Sequence, residues 1–256
     1  MSRVVVVVNQ KGGVGKTTTA VNLAAYLAVG SRVLLVDLDP QANATSSLGV
    51  ERQALEASVY DALMGAASLE SVILEAVQPG LDLAPGAPGL AGAQVELVEQ
   101  ASPDREQRLQ QALEPLGERY PLIIVDCPPS LGVLTVNALV AADAVLIPVQ
   151  CEYLALEGLG QLVETLDLVH QRLNPRLQLL GIVMTMHDAR TNLSGQVIEE
   201  VRSHFPSKML SSVIPRSVRL SEAPSHGLPA RVYDPASRGA LAYAALAEEL
   251  LARGIR

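Results

Sequence analysis

The residues with the clearest chemical potential are the seven from Lys11 to Thr17, Lys-Gly-Gly-Val-Gly-Lys-Thr, which follow five consecutive valines. Glycines allow backbone N–H groups to wrap around an oxyanion, and the N-terminus of a following helix favours negative charge. A buried strand, a glycine-rich turn and a helical pattern in this order predict a phosphate-binding loop. In such a loop Lys16 contacts the β- and γ-phosphates of a nucleotide, and the Thr17 hydroxyl ligates Mg²⁺. The alternative is a glycine-rich turn with incidental lysines. Seven specified residues in this strand–loop–helix setting rarely arise by chance.

The loop departs from the usual phosphate-binding pattern at its start. That pattern has a glycine five residues before Gly15, where this chain has Gln10, and the loop carries an additional lysine, Lys11. A second cation indicates that Lys11 serves something other than the phosphates bound by its own loop.

Two further apolar runs end in acidic residues. Asp37 and Asp39 close one run, and Asp126 closes the run of residues 122–125. Ligands bind at the carboxyl ends of parallel strands, so these carboxylates are expected beside the phosphate loop. Asp37 and Asp39, two residues apart, would point the same way on an extended strand. An apolar run ending in aspartate is a weak signal alone, but after a phosphate loop it predicts that Asp126 holds Mg²⁺ through water.

These side chains need a framework of parallel strands to bring them together. Seven apolar runs predict strands at residues 4–8, 32–38, 81–84, 122–126, 144–150, 177–185 and 209–214. Helical patterns cover residues 17–29, 103–116, 154–173 and 236–252, and residues 85–92 read as a loop. Near-continuous Val, Ile and Leu in several strands indicates burial on both faces. We therefore predict a single α/β domain over residues 1–256, with one doubly wound, mostly parallel sheet flanked by helices.

Composition limits the classes of partner and compartment. Two cysteines without a C-x-x-C spacing indicate a reducing cytoplasm and small buried side chains, and no signal peptide or membrane-spanning apolar run is recognisable. The net charge of −8 disfavours nucleic acid, yet residues 172–238 contain 9 basic and 5 acidic side chains. With 3% aromatic residues the chain can barely build a stacking platform for single strands. A nucleic-acid partner would therefore be a duplex, held through its backbone.

The motifs resemble those of the deviant Walker A ATPases, and within that group the chain most resembles the ParA or Soj partitioning ATPases. The shared segments are residues 11–17, 37–41 and 126–130. The Soj branch is favoured by residues 150–153, 155–158, 188–191, 214–216 and 221–225, so that the resemblance covers nearly the whole chain.

The resemblance implies a P-loop ATPase that uses ATP and Mg²⁺ and forms an ATP-dependent homodimer. Lys11 would cross to neutralise phosphate charge in the partner's site, and Gly12 and Gly13 would lie where the two loops nearly touch. Lys16 would be catalytic together with Lys11 and Asp39. Asp39 would orient the attacking water, and it is a second candidate ligand for Mg²⁺ through water. The implied nucleotide-binding residues are Lys11, Gly12, Gly13, Val14, Gly15, Lys16, Thr17, Thr18, Pro215 and Arg216.

The same resemblance implies sequence-independent binding of duplex DNA in the ATP-bound state, with Arg190 and Arg219 as the contacts. Both fall in the basic region, and the alternative is that these arginines only cover a solvated face. A ParB-type centromere-binding protein would stimulate a slow ATPase that dimerisation and DNA also stimulate. The expected localisation is cytoplasmic and nucleoid-associated, in the service of chromosome or plasmid segregation. No N-terminal helix-turn-helix domain for operator recognition is expected.

Three alternatives belong to the same superfamily. A MinD-like ATPase would need a basic amphipathic C-terminal helix on the membrane, whereas Glu248 and Glu249 occupy the polar side of the last helical pattern, so no membrane partner is expected. A metabolic relative would need either cluster cysteines, which Cys127 and Cys151 do not resemble, or the substrate pocket of an amide ligase. The third alternative is a scaffold that positions another cargo. Only Arg190 and Arg219 distinguish it from a partitioning ATPase, because they favour DNA.

Overall fold

Eight strands form one sheet in the computed structural model, which describes residues 2–99, 103–152 and 155–255. The strands are β1 (Arg3–Val7), β2 (Val33–Asp37), β3 (Leu74–Gln78), β4 (Leu81–Ala84), β5 (Leu122–Asp126), β6 (Ala144–Gln150), β7 (Gln178–His187) and β8 (Met209–Pro215). Their order across the sheet is β3-β4-β2-β5-β1-β6-β7-β8, and all neighbouring pairs are parallel except β3 with β4. The predicted fold class is confirmed.

Helices cover both faces of the sheet. They are α1 (Lys16–Leu27), α2 (Asn43–Ser47), α3 (Val59–Leu63), α4 (Leu69–Val72), α5 (Leu90–Glu99), α6 (Arg108–Leu113), α7 (Val133–Ala141), α8 (Ala155–Arg172), α9 (Asn192–His204), α10 (Val218–Glu222), α11 (Ala230–Tyr233) and α12 (Arg238–Ala252). Because side chains alternate along a strand, Val4 and Val6 of β1 join one hydrophobic cluster, and Val5 and Val7 join the other. Burial on both faces explains the continuous run of valines.

The strand register places the chemistry at one edge. In the centre of the sheet, β5 lies between β2 and β1, and Asp126 is level with both Asp37 and Val7. The residues that follow these three strands therefore meet at the carboxyl edge of the sheet, where the phosphate loop begins.

The sequence prediction was wrong at two places. The edge strand β3 was missed because its side chains are exposed or half-buried, without the continuous apolar run of an inner strand. The predicted helix of residues 103–116 is instead a turn, the short helix α6 and a 3₁₀ turn over Glu114–Leu116. Pro115 lies in that 3₁₀ turn, and its ring and missing N–H are incompatible with the interior of an α-helix.

Other boundaries shifted by smaller amounts. The predicted loop of residues 85–92 ends earlier, since α5 begins at Leu90. The predicted start of α8 at residue 154, and Tyr153 of a resembling segment, lie outside the described residues. No helix among the residues described is long and apolar enough to cross a membrane.

The last helix, α12, packs into the fold. Ser237 caps it by accepting from the N–H of Ala240, and its apolar side buries Tyr243, Leu246 and Leu250. Glu249 is half-buried and accepts hydrogen bonds from the N–H groups of residues 211 and 212 of β8 at 2.8 Å each. The helix predicted over residues 236–252 is confirmed, with its start two residues later.

Candidate phosphate-binding site

The loop between β1 and α1 has the backbone geometry of an anion cradle. Gly13 and Gly15 have φ values of 75° and 88°, in the left-handed region that side chains rarely adopt. Helix α1 begins directly afterwards at Lys16 and is 12 residues long, so its N-terminus faces the loop. Backbone N–H groups and the helix N-terminus together provide donors and partial positive charge for a phosphate.

Lys16 is held inside this loop. Its side chain is 6% exposed, and its Nζ donates to the carbonyl oxygen of Lys11 at 3.0 Å. Burial lowers the pKa of Lys16, while the nearby charges of Asp126 and Asp39 act in the opposite direction. An ammonium buried beside backbone carbonyls and carboxylates is positioned for a compact anion.

Asp126 ends β5 as an unusual buried acid. Among the residues described, neither of its carboxylate oxygens makes a hydrogen bond of ordinary geometry, and the residue is fully buried. Burial, followed by the charge of Asp37, raises the pKa of Asp126 well above its usual range, and the neighbouring Thr17 hydroxyl moderates that rise. Buried carboxylates are normally paired or bound to a metal. The orphaned oxygens beside Thr17 therefore fit a divalent cation.

The described residues contain no cluster of three or more acidic, histidine or cysteine side chains that could hold a metal alone. Mg²⁺ usually binds one or two carboxylates together with water and substrate phosphates. The donor set of Thr17, Asp126 and a neighbouring Asp39 suits Mg²⁺ in that mode.

Asp37 and Asp39 have different partners, although they are two residues apart. The Oδ2 of Asp37 accepts from both the N–H and the hydroxyl of Thr45, at 2.8 and 2.7 Å, and its Oδ1 accepts from the N–H of Asp39 at 3.3 Å. Burial raises the pKa of Asp37 to about 6 despite these donors. Asp39 is 6% exposed, and its Oδ1 accepts from the N–H of Gln41 at 2.9 Å. Asp37 thus anchors α2, whereas Asp39 lies beyond the strand, near Lys16.

The tip of the loop is open to solvent. Lys11, Gly12 and Gly13 are exposed, and a Cβ built on either glycine has no neighbour within 4 Å. The Lys11 ammonium forms an ion pair of 2.8 Å with Glu152, and both side chains are nearly half exposed. Exposed ion pairs contribute little to stability, so this lysine is free to exchange partners.

Two residues that the sequence analysis did not identify hold the loop. The Asn9 amide nitrogen donates to the carbonyl of Pro148 at 2.7 Å, and its oxygen accepts from the N–H of Lys11 at 3.0 Å. Thr185 of β7 donates its hydroxyl to the carbonyl of Val14 at 2.8 Å. Asn9 could have been found from its place after a buried strand, but no local signal marks Thr185.

A cavity of about 440 Å³ adjoins the loop. Gly15 and Thr18 line it on the side of the loop, and Pro215 and Arg216 line it at the end of β8. Pro215 and Arg216, which the resemblance implies bind the nucleotide, therefore lie next to the predicted phosphate-binding residues, in a space continuous with them.

Arg190 and Arg219 lie at the same edge of the sheet. Arg190 follows β7 and Arg219 is in α10, which follows the adjacent parallel strand β8. Both are exposed and both are paired within the protomer. Arg190 donates to the two carboxylate oxygens of Asp188 at 2.9 and 2.6 Å, and these bonds hold the pKa of Asp188 well below its usual range. Arg219 pairs with Glu222 at 2.8 Å and with Asp234 at 3.2 Å.

The two cysteines are buried and free, as predicted. Burial raises the pKa of Cys127 well above its usual range and that of Cys151 to about 11.

Comparison with known proteins relates these features to a family. A family model described as an AAA domain matches residues 2–179. The chain is 56% identical over 255 residues to the sporulation initiation inhibitor protein Soj of Bacillus subtilis, covering 99% of this chain and 100% of the relative. It is 52% identical to the chromosome partitioning protein ParA of Myxococcus xanthus, covering 99% and 89%.

A solved structure agrees over the whole chain. The cobyrinic acid a,c-diamide synthase from Mycobacterium smegmatis, with bound ADP and magnesium, superposes with a TM-score of 0.87 at 40% identity. The alignment covers 100% of this chain and 97% of that one.

Proposed function

This chain belongs to the Soj/ParA family of partitioning ATPases, and we propose that it is an ATP-dependent dimeric switch that binds duplex DNA during chromosome or plasmid segregation. The observation that carries the proposal is that a buried Lys16 lies near a buried Asp126 at the foot of a glycine-rich loop, and that the Asp126 oxygens make no hydrogen bond of ordinary geometry among the described residues. That arrangement supports hydrolysis of a bound nucleoside triphosphate with Mg²⁺. The relatives support ATP as the nucleotide and partitioning as the process.

The proposed catalytic roles come from the family resemblance, and the geometry of the site supports them. The Thr17 hydroxyl and, through water, Asp126 and Asp39 would hold Mg²⁺. When bound, Mg²⁺ would neutralise charge on the transferring phosphoryl group. Lys16 contacts the β- and γ-phosphates from within the loop. Asp39, near Lys16 and outside the strand, orients the attacking water. The cavity beside Pro215 and Arg216 takes the base and ribose.

Dimerisation completes the site. The exposed Lys11 exchanges Glu152 for the phosphates bound by the other subunit, and Gly12 and Gly13 permit close approach of the two loops. Charge supplied to a transferring phosphoryl group from a second protein can accelerate hydrolysis by roughly 10³- to 10⁵-fold when an arginine supplies it. Hydrolysis by this chain is therefore slow in the monomer and stimulated by dimerisation.

Duplex DNA is the proposed partner of the ATP-bound dimer. Arg190 and Arg219 lie at the edge of the sheet that also carries the phosphate loop, which supports coupling between ATP and DNA. Dimerisation doubles the number of phosphates contacted, and DNA affinity depends steeply on that number. The acidic partners of both arginines must release them to the DNA backbone. We further propose nucleoid association, stimulation by a ParB-type centromere-binding protein, and a single domain over residues 1–256.

The test is duplex binding by the purified protein with ATP, with ADP and without nucleotide, at one stated salt concentration. We expect binding of unrelated duplexes with ATP alone, and an affinity that falls steeply as salt increases. Binding that is equal in all three states would contradict the nucleotide switch. Absence of binding in every state would contradict the proposal that the protein binds DNA, but it would not affect the proposal that it binds ATP.

An amide synthase is a second candidate, favoured by the activity named for the Mycobacterium smegmatis protein. The two activities differ in what stimulates hydrolysis. A partitioning ATPase releases phosphate faster when DNA and its protein partner are added, whereas an amide synthase requires an amide donor and a carboxylic acid. Phosphate release stimulated by cobyrinic acid and glutamine, and not by DNA, would favour the second candidate.

A further inference from the structure

One long-range hydrogen bond ties the phosphate loop to a strand that is not its neighbour. Strand β7 is separated from β1 by β6, yet the Thr185 hydroxyl of β7 donates to the carbonyl of Val14 at 2.8 Å. Both residues are buried, with exposures of 2% for Thr185 and 1% for Val14. The bond is therefore inside the protein and is shielded from competition by water.

The threonine itself is held in place. Its own carbonyl accepts from the N–H of Cys151 at 3.1 Å, and it pairs with Gln150 in the β6–β7 register. A β-branched side chain in a strand has few χ1 rotamers, so the position of its hydroxyl is fixed by the strand. The strand therefore presents this donor to the Val14 carbonyl.

The direction of the bond has a consequence for the next residue. In a trans peptide unit the carbonyl and the following N–H point in opposite directions. Fixing the Val14 carbonyl towards Thr185 therefore turns the N–H of Gly15 away from β7. Gly15 has a φ of 88° and immediately precedes helix α1, at the place where a loop N–H can meet an oxyanion.

The opposite end of the loop is held independently by the Asn9 amide, which joins the N–H of Lys11 to the carbonyl of Pro148. A glycine-rich loop fixed at both ends has less conformational freedom to lose when a ligand binds. The Thr185 contact is the one that sets the direction of a donor near the helix N-terminus.

We infer that Thr185 is a positioning residue for the bound triphosphate, acting through the Val14–Gly15 peptide unit. The inference rests on the proposed ATPase function. Thr185 also lines the cavity beside the loop, so its effect on phosphate must be separated from an effect on the base. The probes are therefore a fluorescent ATP analogue and inorganic tripolyphosphate, which lacks a base.

The variant Thr185→Val removes the hydroxyl and keeps the shape of the side chain. We expect its affinity for both the ATP analogue and tripolyphosphate to fall about five- to tenfold, the effect of losing one hydrogen bond. Thr185→Ser retains the donor, although its hydroxyl is less restricted, and should recover most of the affinity that Thr185→Val loses. Thr165→Val is the matched control, because the Thr165 hydroxyl also donates to a carbonyl, that of Gln161, but on the exposed side of α8. It should leave both affinities unchanged.

Three results would overturn the inference: equal affinities for Thr185→Val and the unmodified protein, equally weak binding by Thr185→Ser, or a loss confined to the ATP analogue. If Thr185→Val does not fold, Thr185→Ala and Thr185→Ser, which differ only in the oxygen, provide the same comparison. Lack of DNA binding by the unmodified protein would overturn the proposed function and leave this comparison standing.

Discussion

Replacing Asp126 with asparagine should stabilise the nucleotide-free protein and impair its response to MgATP. The carboxylate is fully buried, and its oxygens make no hydrogen bond of ordinary geometry among the residues that the structure covers. The neighbouring Thr17 hydroxyl offsets only part of the effect of burial. Leaving a buried acceptor unsatisfied costs about 1–3 kcal/mol, and more when it is charged. Asparagine keeps the shape and removes the charge, although its amide also lacks partners and the attraction of Lys16 is lost. We expect a net gain of about 1–2 kcal/mol in the free energy of unfolding.

The gain should grow with pH. Burial and the charge of Asp37 raise the pKa of Asp126, so the folded protein holds its proton to a higher pH than the unfolded chain does. That contribution to stability is present below the unfolded pKa and is lost as the pH rises through the folded pKa. The variant lacks this loss, so the difference between the two proteins is largest at alkaline pH.

Thermal unfolding followed by circular dichroism at pH 8 measures the effect. Without nucleotide or magnesium, Asp126→Asn should raise the Tm by about 2–8 °C, since 1 kcal/mol shifts a domain of this size by about 2–4 °C. A ligand at a hundredfold excess over its Kd stabilises a protein by about 2.7 kcal/mol. With MgATP the unmodified protein should therefore become the more stable of the two.

Asp82→Asn is the matched control, because Asp82 is a buried strand aspartate whose oxygens have partners. They accept from the N–H of Ala76, the Tyr120 hydroxyl and the Arg32 guanidinium, each at 2.7 Å. This variant should lower the Tm in both conditions. A lower Tm for nucleotide-free Asp126→Asn would refute the reasoning, because Asp126 would then have a stabilising partner in the folded protein.

Three further predictions concern the dimer, hydrolysis and DNA. Gly12→Val should abolish ATP-dependent dimers in analytical ultracentrifugation. It should leave the nucleotide-free Tm unchanged, because a Cβ built on Gly12 has no neighbour from its own protomer within 4 Å. A persisting dimer would place Gly12 outside the interface. Asp39→Ala should bind ATP and dimerise but release no phosphate, and turnover equal to that of the unmodified protein would remove Asp39 from the catalytic set. Arg190→Glu and Arg219→Glu should each weaken duplex binding and lower the slope of log affinity against log salt by about 1 in filter binding, without loss of the ATP-dependent dimer; unchanged affinity at fixed salt would mean that these arginines only cover a solvated face.

Local sequence was sufficient for the framework and the phosphate loop. The valines before Lys11 specify a strand buried on both faces, and the glycines specify a backbone that side chains would strain, so neither depends on distant residues. Strand β3 was not predictable in the same way. Its half-exposed residues have no apolar period, and it is a strand because β4 offers an edge with which to pair.

The roles of the side chains were decided by tertiary contacts. Asp37 and Asp126 both end an apolar run, and the apolar pattern alone does not show which of the two has hydrogen-bond partners. In the folded chain Thr45 donates twice to Asp37, whereas the Asp126 oxygens make no hydrogen bond of ordinary geometry among the described residues, an arrangement that fits a cation. The contact of Thr185 with Val14 spans 171 positions in the sequence. Hydrogen-bond partners of buried groups come from whichever strands the fold brings together, and a sequence pattern records only the spacing along one of them.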